Sequence, residues 1–209
     1  MTSNVEFEPE AAATFFGDRL GLARDFAHSL ADEGEQRGLI GPLELPRLWT
    51  RHILNCAVVG TLLRPGVVGD IGSGAGLPGL VLAIARPDVS FVLIEPMERR
   101  VAWLNEQVDR LSLDNVRVLR ARAEEVKIDT PLDQVTARAV SSLRKLIPLT
   151  APLVRRGGEL VLMKGANAEA EIEAASKELR RFHIRDLTII TLGEGVLSET
   201  TRVVRATVD

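Results

Sequence analysis

Apolar runs alternate with amphipathic stretches over most of the chain, from residue 67 to residue 208. The runs that have the character of β-strands lie at 67–71, 90–95, 115–119, 133–139, 157–165, 182–192 and 201–208. The stretches that place apolar residues at helical spacing lie at 77–86, 97–111, 142–154 and 168–181. Strands that alternate with helices in this way predict a parallel sheet with helices on both faces. We therefore expect an α/β fold around a Rossmann-like, seven-stranded and mostly parallel sheet.

The N-terminal part of the chain follows a different pattern. Residues 5–35 favour an irregular helix, and the sequence GLIGP at 38–42 then interrupts it. From 45 to 63 the apolar positions return to helical spacing. We expect residues 1–63 to form a helical cap that belongs to the same domain as a core formed by residues 64–209.

Polar residues and glycines follow the ends of several predicted strands. In sheets of this kind, ligands bind at the carboxyl ends of the strands, near the point where the strand order reverses. The residues at these positions are Asp70–Gly76, Glu95, Ala123–Glu124, Arg138 and Lys164. We expect them to lie together at one edge of the sheet and to form a binding site.

The sequence DIGSGAGLPGL, at 70–80, places four glycines directly after the first strand. No Gly-Lys-Ser/Thr follows, which excludes a P-loop, and the dinucleotide pattern G-x-G-x-x-G fits only in a late register from Gly74. The carboxylate of Asp70 would repel a pyrophosphate and attract a cation, such as the α-amino group or the sulfonium of a methionine moiety. An acid at Glu95 suits a ribose diol. The pattern predicts S-adenosylmethionine as cofactor, with NAD and a purely structural turn as alternatives.

Composition narrows the class of protein. The formal net charge of −3 does not favour a protein that coats nucleic acid, although 22 of the 26 basic residues are Arg, which binds phosphate bidentately. Cys56 is the single cysteine, which excludes disulfides and zinc clusters and fits a reducing compartment. The acidic N-terminus has no apolar signal segment, and the apolar runs are shorter than a membrane span of about 20 residues. We expect a cytoplasmic protein with no membrane segment and no metal.

Five motifs together resemble one known family. DIGSGAGLPGL, RLWTRHILN, RAEE, ARAVSSL and LMKG are similar to the RsmG/GidB family of 16S ribosomal RNA (guanine-N7)-methyltransferases, over about Gly17 to Lys164. The resemblance implies a class I S-adenosylmethionine-dependent methyltransferase that modifies N7 of a guanine in the decoding region of 16S rRNA. One departure is GLIGPLELP at 38–46, where many members carry Asn-Leu-Thr. Because the cap is small and the net charge negative, we expect a pre-folded substrate, the assembled small ribosomal subunit. We also expect a monomer.

The resemblance also implies roles for single residues. The expected cofactor contacts are Asp70, Gly72, Gly74, Gly76, Leu77, Glu95, Ala123, Glu124 and Arg138. Arg138 is also the expected catalytic residue, since it ends the fourth strand, where this superfamily faces the methyl acceptor. The expected RNA contacts are Arg51, His52, Arg144, Lys145 and Lys164. His52 lies on the apolar face of its helix, which favours a satisfied core histidine, while the match to RHIL leaves an RNA-facing role open.

The implied chemistry constrains Arg138. Guanine N7 has a lone pair in the base plane and no proton, so its attack on a sulfonium methyl needs no general base. Alignment of the reactants then supplies about 7–11 kcal/mol of the barrier lowering. Arg commonly reads guanine through O6 and N7 together. We therefore expect Arg138 or a neighbouring residue to hold O6 or a phosphate and to leave N7 free.

Three other functions remain open on the sequence alone. A small-molecule methyltransferase on the same fold would have a closed, apolar acceptor pocket, whereas Arg138, Arg144, Lys145 and Lys164 indicate an open and polar one. A nicotinamide-dependent oxidoreductase would have no acid at position 70 and would add a substrate domain. A cofactor sensor would bind the nucleoside without turnover.

Overall fold

The computed structural model describes residues 5–209, and a single seven-stranded sheet lies at its centre. The strands are β1 (Val67–Ile71), β2 (Ser90–Ile94), β3 (Val116–Leu119), β4 (Leu132–Arg138), β5 (Val154–Lys164), β6 (Ile184–Leu192) and β7 (Thr201–Val208). Their order across the sheet is β3-β2-β1-β4-β5-β7-β6. Strand β7 runs antiparallel to both of its neighbours, β5 and β6, and the other neighbouring strands pair in parallel. The predicted mostly parallel sheet is therefore confirmed.

Strand β1 lies where the strand order reverses. Four of its five residues are buried, as expected for a strand covered on both faces. Its register pairs Asp70 with Leu93 of β2 and with Thr136 of β4. The carboxyl ends of these three strands therefore open at one edge of the sheet, where ligands of such sheets bind.

The helices are α1 (Ala12–Phe16), α2 (Leu20–Glu33), α3 (Asn55–Ala57), α4 (Gly79–Ala85), α5 (Glu98–Arg110), α6 (Leu143–Thr150), α7 (Ala168–Ala174) and α8 (Ser176–Arg181). The prediction of one helix over 168–181 was wrong, because Ala175 leaves helical geometry at φ −94° and ψ 6°. Ala175 is fully buried, and the break lets α7 and α8 both pack on α6.

The cap begins later than its sequence pattern predicts. Residues 5–11 are not helical, because Glu6 turns to the next segment and donates its N–H to the carbonyl of Leu45 at 3.0 Å. A 3₁₀ turn over Gly17–Arg19 joins α1 to α2. The first four residues of the predicted cap, 1–4, lie outside the described residues.

The helical run predicted over 45–63 is present, but its pitch changes along its length. A 3₁₀ turn (Leu45–Arg47) leads into a π-helical segment (Leu48–Leu54), then α3, then a second 3₁₀ turn (Val58–Leu62). Inside the π-helical segment the backbone N–H of Thr50 donates to Glu6 Oε2 at 2.9 Å, outside the helix ladder. Widened turns of this kind often occur at functional sites.

Cap and sheet share one hydrophobic core. Phe26, Leu30 and Ile53 of the cap belong to the same buried cluster as Leu82 of α4 and Val161 of β5. A second cluster fills the opposite face of the sheet beneath α6, α7 and α8. Within residues 5–209, no helix combines the length and the apolar character needed to cross a bilayer.

Candidate active site

Two clefts open at the carboxyl edge of the sheet. The first, here the β1 cleft, has a volume of about 670 Å³ and lies at the ends of β1 and β2; its wall includes Gly72, Glu95, Ala123 and Glu124. The second, here the β5 cleft, has a volume of about 570 Å³ and lies where β5 ends and the antiparallel β7 begins. Its wall includes Arg51, Asn55, Lys164, Thr201 and Arg202. Arg138 and Ala139 line both clefts. The end of β4 is therefore the partition between them.

The glycine loop leaves one side of the β1 cleft open. Gly72 has φ +70°, and a Cβ there would lie 2.8 Å from a methyl group of Val140. Gly72, predicted as a cofactor contact, is the loop glycine that lines this cleft. Gly74 instead donates its N–H to Glu95 Oε2 at 2.9 Å, and Gly76 leaves room for the side chain of Leu80.

Leu77, predicted as a cofactor contact, is half-buried against the core and does not line the β1 cleft. Its N–H donates to the carbonyl of Ser73 at 3.2 Å, which begins the turn into α4. Gly74, Gly76 and Leu77 thus make contacts within the loop and its surroundings. Of these three residues and Gly72, only Gly72 lines the β1 cleft.

Asp70 lies behind the glycine loop and is fully buried. Its Oδ2 accepts the N–H of Gly79 at 3.1 Å, at the start of α4, while Oδ1 has no partner among residues 5–209. Burial raises the pKa of Asp70 to about 7. The sequence placed this carboxylate beside a cation, whereas the structure places it beneath the loop that would hold one.

Glu95 closes β2 and joins the two halves of the β1 cleft. Its Oε2 accepts from Gly74 and its Oε1 accepts the N–H of Met97 at 2.9 Å. The side chain is buried, and Arg100 Nη1 lies 3.8 Å from Oε2. Each carboxylate oxygen keeps a further lone pair, so the residue can still accept a hydrogen bond from a ligand in the cleft.

Arg138 is held at the partition by the cap. Its Nη2 donates to Nδ1 of His52 at 2.9 Å, and its Nη1 contacts Cys56 Sγ at 3.0 Å. His52 Nε2 in turn lies 2.7 Å from Glu44 Oε2. Among the described residues, the hydrogen bonds of the Arg138 guanidinium run from Nη1 and Nη2, and none runs from Nε.

His52 is 8% exposed, and both of its ring nitrogens are engaged inside the protein. Burial and the positive charge of Arg138 lower the pKa of its imidazole. The RNA contact expected for His52 is therefore corrected to the core role, because no ring nitrogen faces solvent.

The loop after β4 is backbone-strained. Ala139 has φ +55°, which is costly for a residue with a Cβ, and the next residue, Val140, is 38% exposed beside Gly72. Such strain tends to occur at functional sites. Here it turns the chain sharply at the partition between the two clefts.

The remaining residues predicted to bind RNA differ in their accessibility. Lys164 lines the β5 cleft, but its ammonium donates to the carbonyl of Ser141 at 2.9 Å and pairs with Glu171 at 2.7 Å. Arg51 is half-exposed in the same cleft, 3.3 Å from Glu44. Arg144 and Lys145 are exposed on α6 and line neither cleft. Arg51 is thus the one of these four with an accessible charge at the site.

Several residues of the β5 cleft were not predicted from the sequence, among them Asn55, Thr201 and Arg202. Asn55 lies one turn after His52, and its buried Oδ1 has no partner within residues 5–209. Thr201 donates to the carbonyl of Asn55 at 3.1 Å. Their proximity depends on the insertion of β7 between β5 and β6, which local spacing does not reveal.

The chain was compared with known protein families and their members. Residues 19–200 match the family model of GidB, described as rRNA small subunit methyltransferase G. A ribosomal RNA small subunit methyltransferase G from Leifsonia xyli subsp. xyli is 72% identical over 208 residues, covering all of both chains. One from Thermobifida fusca is 54% identical and covers all of this chain and 88% of its own.

Solved structures show the same fold at low sequence identity. M. jannaschii TYW2 in complex with AdoMet superposes with a TM-score of 0.59 at 18% identity, over 75% of this chain and 74% of its own. Precorrin-6y C5,15-methyltransferase from Geobacter metallireducens GS-15 gives 0.52 at 18% identity, over 74% and 87%. The class I methyltransferase fold is confirmed. With the family match over most of its length, this chain belongs to the GidB family, rRNA small subunit methyltransferase G.

Proposed function

We propose that this ribosomal RNA methyltransferase modifies N7 of a guanine in the decoding region of 16S rRNA, with S-adenosylmethionine as methyl donor. The observation that carries the proposal is the partition at Arg138 and Ala139, which borders a nucleoside-sized cleft on one side and a polar, open cleft on the other. A donor in the β1 cleft and an acceptor base in the β5 cleft would meet there.

The residues of the β1 cleft fit S-adenosylmethionine. Gly72 lines the cleft at a position where a Cβ would collide with Val140, and Glu95 offers acceptor oxygens for a ribose diol. Ala123 and Glu124 line the far wall, where an adenine would lie. Below the loop, the unpartnered Oδ1 of Asp70 makes this end of the cleft electronegative whenever the carboxyl is ionised. The bound cofactor supplies an electrophilic methyl group on a sulfonium.

The β5 cleft is suited to a flipped-out base. Methylation at N7 requires only that the protein align the base with the methyl group and exclude water, since N7 carries no proton to remove. The Nε–H of Arg138 can donate to guanine O6 or to a phosphate without occupying N7. Arg138 is then the catalytic residue, acting by alignment and by its charge.

The substrate is the assembled small subunit. Arg51 and Arg202 place positive charge in the β5 cleft, and Arg144 and Lys145 extend it along α6. This patch is small for a protein of net charge −3, so affinity depends on a surface already shaped by the subunit. We expect the protein to act as a monomer, and a free buried cysteine fits the reducing cytoplasm where ribosomes are assembled.

The charge of the β5 cleft also bears on the alternative acceptor. A small-molecule methyltransferase would enclose its substrate among apolar side chains. The β5 cleft instead opens to solvent and carries four cations and two acids: Arg51, Arg138, Lys164, Arg202, Glu171 and Glu199. These side chains favour an RNA acceptor.

The proposal is tested on small subunits from a strain that lacks the protein. Subunits or naked 16S rRNA are incubated with the protein and S-adenosylmethionine, and 7-methylguanosine in the digested rRNA is quantified by mass spectrometry. We expect a gain near one methyl group per subunit, and a much smaller gain on naked rRNA. Confirmed cofactor binding with no 7-methylguanosine on either substrate would overturn the assignment.

A further inference from the structure

A chain of three side chains connects the cap to the partition between the clefts. Glu44 Oε2 lies 2.7 Å from His52 Nε2, and His52 Nδ1 lies 2.9 Å from Arg138 Nη2. Each residue comes from a different element: the 38–46 stretch, the π-helical segment and the end of β4. The chain thus ties a divergent surface segment to the residue that faces both clefts.

The contacts determine the protonation state of His52. A guanidinium only donates hydrogen bonds, so Nδ1 of His52 must accept, and the ring hydrogen lies on Nε2 and is donated to Glu44. Only the neutral ring satisfies both neighbours. The charged groups around it are Glu44, Arg51 and Arg138, and the thiol of Cys56 is neutral because burial raises its pKa.

The remaining contacts of Arg138 are weak without the imidazole. They are the thiol of Cys56 at 3.0 Å and the carbonyl of His52 at 3.5 Å, the second at the limit of a hydrogen bond. The ring nitrogen is therefore the principal contact that orients the guanidinium.

We propose that His52 and Glu44 are positioning residues for methyl transfer, which hold Arg138 at the partition while His52 is neutral and release it when His52 is protonated. The inference rests on the proposed function, in which Arg138 contacts the acceptor. Protonation puts a hydrogen on Nδ1, so two donors and two positive charges face each other across 2.9 Å.

The direction of the pH effect follows from the charges. Burial and Arg138 hold the pKa of His52 below 6.5, so turnover falls as the pH drops through that lowered value. Glu44 favours the protonated ring. In Glu44→Gln the acid limb therefore moves to lower pH, and a purely structural role of Glu44 would leave the limb in place.

Two substitutions of His52 separate its contacts. In His52→Asn the amide oxygen lies near the position of Nδ1, so the acceptor for Arg138 is kept while the titration is lost. In His52→Gln the amide reaches toward Glu44 and that acceptor is lost. We expect His52→Gln to lower kcat on small subunits about 100-fold, as for a misplacement of about 1 Å. We expect His52→Asn to stay within about 10-fold of wild type and to lose the acid limb.

The assay measures kcat and KM from pH 5.5 to 8 at saturating S-adenosylmethionine, with His28→Asn as control. His28 is an exposed residue of α2 outside both clefts. Circular dichroism and thermal unfolding verify that each variant is folded. Equal losses in His52→Gln and His52→Asn, or variants that match His28→Asn at every pH, would overturn the inference.

A second measurement does not depend on activity. Nitrogen NMR of the His52 ring is expected to show hydrogen on Nε2 and a pKa below 6.5, raised by Arg138→Ala and lowered by Glu44→Gln. Hydrogen on Nδ1 would contradict the chain, even in a protein with no measurable turnover. An inactive wild type with the expected ring spectrum would count against the proposed function alone.

Discussion

Asp70 is an ionisable residue in a fully buried position, where the charged form of its carboxyl is disfavoured. A carboxyl group with no exposed surface has one oxygen on the N–H of Gly79 and the other unpartnered within residues 5–209. The sequence identified Asp70 as a strand-end acid but did not predict that it is buried beneath the glycine loop. An acid at this position of the sequence can face the cleft or face the core. Only the packing of α4 over β1 decides between them.

The raised pKa of Asp70 predicts a pH-dependent stability. In the folded chain this pKa is about 7, against 3.8 for an unperturbed Asp. The favourable contribution is therefore complete below about pH 4 and is lost as the pH rises to about 7. Relative to Asp70→Asn, wild type should lose on the order of 1.4 kcal/mol of unfolding free energy per pH unit in that window.

Urea unfolding of both proteins at pH 5 and pH 7 measures this difference. Asp88→Asn is the matched control, since Asp88 is half-exposed and paired with Arg86, and its pKa is lowered. A gap between wild type and Asp70→Asn that is constant with pH would show that the carboxyl is already ionised.

At the scale of elements, the strand and helix pattern of the core followed from periodicity. Strands such as 67–71 and 90–95 are bounded by clear turn residues, and their buried runs needed no further information. The cap was less predictable. Its pitch depends on the bond from Thr50 to Glu6, a contact between segments 44 residues apart in sequence. Helical spacing cannot distinguish an α-helix from a π-helical run with the same buried face.

The loop between β1 and α4 predicts the effect of adding one methyl group. In Gly72→Ala the new Cβ would lie 2.8 Å from Val140 at φ +70°, so the loop must shift. Because we propose that this loop faces the cofactor, we expect the dissociation constant for S-adenosylmethionine to rise at least about 10-fold, equivalent to about 1.4 kcal/mol. Isothermal titration calorimetry measures it.

Gly21→Ala is the control for this substitution. Gly21 lies in α2, where a Cβ would meet nothing within 4 Å. Affinity in Gly72→Ala equal to that in Gly21→Ala would mean that the cofactor does not use this loop.

At the scale of the whole molecule, residues of the cap and residues of the core line the same cleft, the β5 cleft. We propose that residues 1–63 and 64–209 fold as a single domain, a proposal supported by the hydrophobic core that they share. Among the predicted cofactor contacts, Gly72, Glu95, Ala123 and Glu124 line the β1 cleft, and their positions at strand ends could be predicted from the sequence. The wall of the β5 cleft could not, because it is assembled from the cap, β5 and β7, whose proximity depends on the strand order of the sheet.

We propose that Arg138 contacts the methyl acceptor at the partition between the two clefts. The direct test compares Arg138→Ala with wild type in turnover on small subunits at saturating S-adenosylmethionine, with the cofactor's dissociation constant measured separately. Arg110→Ala, an exposed residue of α5 outside both clefts, is the control. We predict that kcat falls at least about 100-fold in Arg138→Ala while cofactor affinity changes less than about 10-fold. Unchanged kcat with weakened cofactor binding would contradict the account and make Arg138 a cofactor contact only.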